Sequence, residues 1–194
     1  MKIVFATSNR GKLREASEIL GDGFELVCPA DMGITGEIPE TGDTLQANSL
    51  QKAMYIHEKC GCDCFADDTG LEVDALGGAP GVHSARYATG GHDFEANIDK
   101  LLSELEKHPG EPRTARFRCV VTLIYKGETH FFEGRVDGTI ATERRGTEGF
   151  GYDPVFIPDG LGGKTFAEVH EGKNELSHRG QSLRALAAWL KERQ

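Results

Sequence analysis

The sequence has no long apolar run. Its opening, MKIVFATSNRGK, carries an apolar stretch of roughly five residues. That is too short for the core of a secretion signal or for a membrane span, so a cytoplasmic location is expected. Positive charge is scarce as well: 22 Lys and Arg against 31 Asp and Glu leave a formal net charge of −9. An acidic surface with no basic stripe repels long nucleic acids and excludes them as partners. A small anionic substrate remains compatible if its pocket is locally basic. Cysteines are few and odd in number: Cys28, Cys60, Cys62, Cys64 and Cys119. An odd count without an export signal argues for free thiols. No second Cys or His pair stands at zinc-finger spacing from CGCDC, so structural thiols on one strand face are the reading there. Repeats and low-complexity linkers are absent.

What remains is ordinary globular material, 38% hydrophobic and 27% charged over 194 residues, enough for one sizeable domain with its own core. Periodicity predicts a mixed α/β chain. Lys2 to Ala6 reads as a buried strand, Asn9 to Leu20 as a helix, and Phe24 to Cys28 as a short strand. A helix is predicted from Gly42 to Glu58, with Asp43 or Thr44 as cap and Ala47, Leu50, Met54 and His57 facing inward. Cys64 to Ala66 and Leu71 to Ala75 read as strands around a DDTG turn. Phe94 to Leu105 is a helix stopped by Pro109 and Gly110. Arg116 to Lys126 and Thr129 to Ala141 are β-rich runs joined by a short hairpin-like link. Arg144 to Gly163 reads as irregular, and Gly180 to Arg193 as a closing helix.

Four polar, glycine-rich segments interrupt this scaffold. The first, TSNRGK (Thr7, Ser8, Asn9, Arg10, Gly11, Lys12), follows a strand and opens a helix. Helix-start N–H groups, hydroxyls and a lysine together suit an anion. It lacks the glycine spacing of a Walker loop, and taken alone a plain N-cap by Ser8 or Asn9 is the simpler account. The second, EIPETGDTLQANS, sets Glu37 and Glu40 before the positive end of a helix. In the third, FADDTGLEVDALGGAPGVHSARYA, adjacent Asp67 and Asp68 point to opposite sides of an extended chain. Either one is a magnesium ligand, since magnesium takes oxygen donors, or the pair forms an Asx-type turn before Gly70. In the fourth, EGFGYDPVF followed by GKNELSHRG, Gly149 and Gly151 flank Phe150 and free its ring to lie exposed. Lys173, His178 and Arg179 add donors, so a stacking platform and edge readers for a nucleobase are both present. The run PDGLGGKT only imitates a Walker loop, because Pro158 stands where its first glycine belongs.

Taken in order, TSNRGK, ETGDTLQANSLQKA, FADDTGLEVDALGGAPGVHSARYA, GFGYDPVF and KNELSHRG closely resemble the Ham1-like family of inosine triphosphate pyrophosphatases. The resemblance runs from Lys2 to Trp189. It implies an elongated mixed β-sheet flanked by helices, in two lobes with a central active-site cleft. It also implies a homodimer that uses Mg2+ to hydrolyse ITP, dITP and XTP to the monophosphate and pyrophosphate. By the same resemblance, Thr7, Ser8, Asn9, Arg10, Gly11 and Lys12 bind the triphosphate. Glu40 and Asp68 hold the metal, Asp68 is also the general base, and Thr69 touches the substrate. Phe150, Gly151, Tyr152 and Asp153 line the base side with Lys173, His178 and Arg179. The segment TGGHDF (Thr89 to Phe94) departs from the usual form. Two other classes fit parts of the pattern. A regulator that binds nucleotide without turnover has no need of Glu40 and Asp68. A pyrimidine triphosphatase of the Maf-like kind has no need of donors for a purine keto edge.

Overall fold

In the computed structural model of the chain, residues 1–169 and 172–193 are described, the side chains of Lys173 and Asn174 excepted. The strands are β1 (Lys2–Phe5), β2 (Glu25–Val27), β3 (Cys64–Val73), β4 (Pro80–Gly81), β5 (Thr114–Tyr125), β6 (Glu128–Ile140) and β7 (Phe156–Pro158). The α-helices are α1 (Arg10–Leu20), α2 (Leu45–Cys60), α3 (Phe94–Glu106), α4 (Lys173–Leu176) and α5 (His178–Lys191). The strands hydrogen-bond in the order β2-β1-β3-β5-β6-β7, with β4 added beside β3. β1 runs parallel to β2 and to β3, while β4 and β7 pair antiparallel with β3 and β6. The sheet is therefore mixed, as expected.

The chain divides into two compact units. The first comprises Met1–Asp68, Cys119–Gly134 and Arg179–Gln194, and the second Thr69–Arg118 and Arg135–His178. The first unit has three layers, and its strand alternation explains why. Ile3, Phe5 and Phe65 pack with Ala16 and Leu20 of α1 and with Leu183, Leu186 and Leu190 of α5. Their neighbours Val4, Ala6, Cys64 and Ala66 face the other way, onto Ala53 and Ile56 of α2. In the second unit Leu71, Val73, Ala115, Phe117 and Ile140 form a core with Ile98, Leu101 and Leu105 of α3 and with Tyr152, Val155, Phe156 and Phe166.

Several local expectations are corrected. The DDTG segment is no turn: β3 runs unbroken from Cys64 to Val73, so its aspartates lie in extended backbone. The long stretch read as irregular contains β7. Thr44 caps α2, as one of the two candidates, but the helix buries a different face from the one predicted. Leu45, Asn48, Ser49, Lys52, Ala53 and Ile56 are inward, whereas Met54 is exposed. The CGCDC cysteines do not share a strand face either. Cys60 ends α2, Cys64 begins β3, and Cys60 is disulfide-bonded to Cys62, while Cys28, Cys64 and Cys119 are free and buried. The link between β5 and β6 is a tight turn in which Lys126 and Gly127 both take positive φ.

Candidate active site

Because β3 is extended, Asp67 and Asp68 meet different helices. Asp67 lies on the face of Phe65, toward α1 and α5. Lys12 Nζ of α1 donates to both of its carboxylate oxygens, at 3.0 and 2.9 Å. Arg179 of α5 donates through Nε at 3.2 Å, and its Nη1 reaches Glu15 Oε2 at 3.1 Å. Asp67 and Arg179 are buried. Burial opposes ionisation of Asp67, but Lys12, then Arg179 and Lys52, outweigh it and hold the carboxyl well below the usual carboxylate range. Asp67 is thus a fixed, permanently charged strut.

Asp68 faces α2. The Lys52 ammonium stands 3.8 Å from its Oδ1 and donates to Glu40 from the loop before the helix. Burial pushes the Asp68 carboxyl up; Lys52 and a hydrogen bond from Asn48 pull it back, and Glu40 and Asp67 add repulsion. Together these leave its pKa at about 6. Burial disfavours the Lys52 ammonium, but Asp67, Asp68 and Glu40 reverse that and raise its pKa above the ordinary value. Asn48 also accepts the Gly42 N–H at 2.7 Å, which ties the approach loop to the helix. One strand therefore carries a pinned carboxylate on one face and, on the other, a carboxylate that titrates near neutrality.

The first unit thus gathers Lys12, Glu40, Asp68 and Arg179 from the expected set, with Glu15, Asn48, Lys52 and Asp67 added. The sequence reading missed Lys52. Its signal was a polar stripe, Asn48, Ser49 and Lys52, at helical spacing on one face of α2. The TSNRGK segment carries a strong cap: Asn9 Oδ1 accepts from Gly11 and Lys12 N–H at 2.9 and 3.1 Å. Thr7 is buried and its Oγ1 accepts the Asn9 N–H, while Ser8, Asn9, Arg10 and Gly11 are exposed. Two helix-start donors are therefore already occupied, and of the segment's two side-chain cations Arg10 is exposed while Lys12 is held by Asp67.

The second unit holds the residues expected at a base. Phe150 is 50% exposed at the tip of a turn whose flanking glycines, Gly149 and Gly151, take positive φ. Asp153 is buried and accepts the Phe150 N–H through Oδ2 at 2.9 Å, fixing that turn. Tyr152 is buried in the unit's core and donates to the Ser84 carbonyl at 2.7 Å, so it anchors the loop from beneath. The His178 ring is buried and stacks on Phe117, with centroids 4.7 Å apart. Thr69 is half-buried on β3, and the Lys173 side chain lies outside the described residues.

Magnesium takes oxygen donors, keeps several waters, and typically needs only one or two protein carboxylates beside substrate phosphates. Among the described residues no cluster of three or more acidic, His or Cys side chains forms a closed metal cage. Glu40 and Asp68, gathered around one positive charge, make an open donor set of the kind magnesium uses.

A model of the Ham1 family matches residues 3–189. A protein of Porphyromonas gingivalis named dITP/XTP pyrophosphatase is 52% identical over 190 residues, spanning 97% of both chains. A Bacillus subtilis protein of the same name is 46% identical over 190 residues, spanning 96% of both. Among solved structures, a HAM1 protein from Coxiella burnetii is similar at a TM-score of 0.93 and 36% identity, covering 99% of each chain.

Proposed function

The chain belongs to the Ham1 family, and on that premise we propose that it hydrolyses the non-standard purine nucleoside triphosphates ITP, dITP and XTP to the monophosphate and pyrophosphate. The observation that carries the reading is the division of labour on β3. A pinned Asp67 sets the strand against Lys12 and Arg179, and the opposite face presents Asp68 beside Glu40 and Lys52. An ionised carboxylate at that place can accept a proton from an attacking water.

In this proposal Lys12 and the Thr7–Lys12 segment receive the triphosphate, helped by Lys52. Water attacks the α-phosphorus, its proton passes to an Asp68 oxygen, and the bond to the pyrophosphate oxygen breaks. Glu40 and Asp68 hold Mg2+, which when bound neutralises phosphate charge and acidifies water. Thr69 contacts the substrate. Phe150 stacks on the base, supported by Gly151, Tyr152 and Asp153, while Lys173 and His178 donate to its keto edge. Arg179 serves the reaction through Asp67. No nucleophilic Ser or Cys is required. We further propose a cytoplasmic homodimer. The resemblance supports the dimer, and no helix among the described residues is long and apolar enough to cross a membrane. Light scattering at micromolar concentration that returned a monomer mass would reject the dimer.

The test is a nucleotide panel with Mg2+, both products resolved by chromatography. Purine monophosphate and pyrophosphate from ITP, dITP and XTP, with ATP spared, is the expected result. Pyrimidine turnover, single-phosphate release, or binding without turnover each overturns it.

A further inference from the structure

We infer that Phe94 is a positioning residue that holds the Phe150 ring in place for a purine. The inference rests on the reading above. Both rings are large and exposed, at 42% and 50%. Their centroids lie 6.2 Å apart with planes 43° from parallel. Neither ring is among the residues of the second unit's apolar core. Scattered exposed aromatics need no explanation, but these two are in ring contact, one of them on the loop that the reading above gives to the base.

The backbones beneath both rings are fixed. Asp93 caps α3 by accepting the Ala96 N–H at 3.0 Å, and Phe94 is the first residue of that helix. Asp153 closes the Phe150 turn from its side chain, and its own N–H donates to the Phe150 carbonyl at 3.3 Å. Arg144, near the start of the Phe150 loop, reaches back to α3, with 3.1 Å to Glu95 Oε2 and 2.7 Å to Asp99 Oδ1. Loop and helix start are thus strapped together, and the strap presents two rings to solvent. That is a preorganised aromatic surface, built where packing does not require one.

The spacing decides the role. A base inserted between two rings needs about 7 Å between their planes, twice the ~3.5 Å contact distance. The observed separation is too short and the tilt too large for that, so Phe94 is not a second slab. A tilted neighbour restricts the swing of Phe150 on its glycine-flanked turn.

The experiment compares parent, Phe94→Ala, Phe94→Tyr, Phe150→Ala and the Phe94→Ala/Phe150→Ala double variant. It measures kcat and KM for ITP with Mg2+, and inhibition constants for inosine monophosphate and for pyrophosphate, which has no base. Phe94→Ala is expected to raise KM for ITP and the inhibition constant of inosine monophosphate about three- to ten-fold. Its kcat stays within about two-fold and pyrophosphate inhibition is unchanged. Phe94→Tyr restores the parent values, and Phe94→Ala adds nothing once Phe150 is gone. An unchanged KM, an equal shift for pyrophosphate, or an undiminished effect in the Phe150→Ala background overturns the inference. A parent that leaves ITP intact overturns the function on which it rests; a parent that cleaves ITP while Phe94→Ala matches it overturns the role of Phe94 alone.

Discussion

Replacing Lys52 by Met keeps the aliphatic stem and removes the charge between Glu40 and Asp68. At the observed 3.8 Å, an effective dielectric constant of ~20 gives an attraction to Asp68 of about 4 kcal/mol. Glu40 is about one-third exposed, so solvent screening leaves its share below ~1 kcal/mol. Relief from burying the ammonium offsets part of both. Asp68 also has an escape, because it can bind a proton. Its folded pKa of about 6 lies above the ordinary carboxylate value, so folding penalises its ionised form. That penalty is absent below the unfolded pKa, grows as pH rises to the folded pKa, and is constant beyond it. Lys52 is the largest influence holding the Asp68 pKa down, so the variant's folded pKa lies higher still. The variant's extra deficit therefore opens only above about pH 6. By about pH 8 it has a ceiling of ~2.7 kcal/mol, two pH units at 1.36 kcal/mol each. Contributions that do not titrate cancel between two pH values. Urea unfolding followed by the single tryptophan, Trp189, in metal-free buffer at about pH 5.5 and pH 8, reads the difference directly. We expect the deficit to grow by about 2 kcal/mol between them. A deficit that is the same at both, within ~0.5 kcal/mol, refutes the coupling of Lys52 to Asp68.

The remaining predictions concern the same strand and its surroundings. Asp68→Asn removes the proton acceptor and a metal ligand, and turnover should fall by ~10² or more while the protein folds; near-parent turnover in a folded, magnesium-saturated variant removes Asp68 from the chemistry. Glu40→Gln should move the magnesium midpoint of activity upward, with excess metal restoring part of the rate, and an unmoved midpoint means Glu40 is no ligand. Gly138→Ala places a β-carbon against the Ile157 carbonyl across the β6–β7 pairing. It should lower stability by about 2–3 kcal/mol with the site chemistry intact, and a parent-like urea midpoint would show that the two strands separate without cost.

The strands of the first unit were legible because burial on both faces leaves near-continuous apolar runs such as KIVF. Helix α1 was legible from period and cap, and α3 from its stop at Pro109 and Gly110. The DDTG stretch was misread for a physical reason: Asp and Gly are turn formers, and nothing local reveals that Lys12 and Arg179, far away in sequence, neutralise Asp67 and permit extended backbone there. Helix α2 was misoriented because its inward face is polar, and hydrophobic periodicity cannot see a face buried for electrostatics. The candidate residues themselves came from motif order. Their partners Glu15, Asn48 and Lys52 did not, because pairing across elements is written in three dimensions only.

The inward face of α2 has a consequence for anyone who would make this protein tougher. Ser49 and Thr122 share one buried hydroxyl–hydroxyl contact at 2.7 Å. Ser49 Oγ also donates to the Gln46 carbonyl at 3.1 Å, and a matched apolar pair of the same shape is close to neutral there because the two hydroxyls vanish together. Asn48, the residue before Ser49, and Lys52, one turn beyond Asn48, invite the same substitution by the same logic of core filling, yet their partners are Glu40 and Asp68, which would lose a hydrogen bond and a counter-charge. A thermostabilisation campaign guided by burial alone would thus pass safely through positions 49 and 122 and lose the enzyme at 48 and 52. The helix carries its stability–activity trade-off within a single turn.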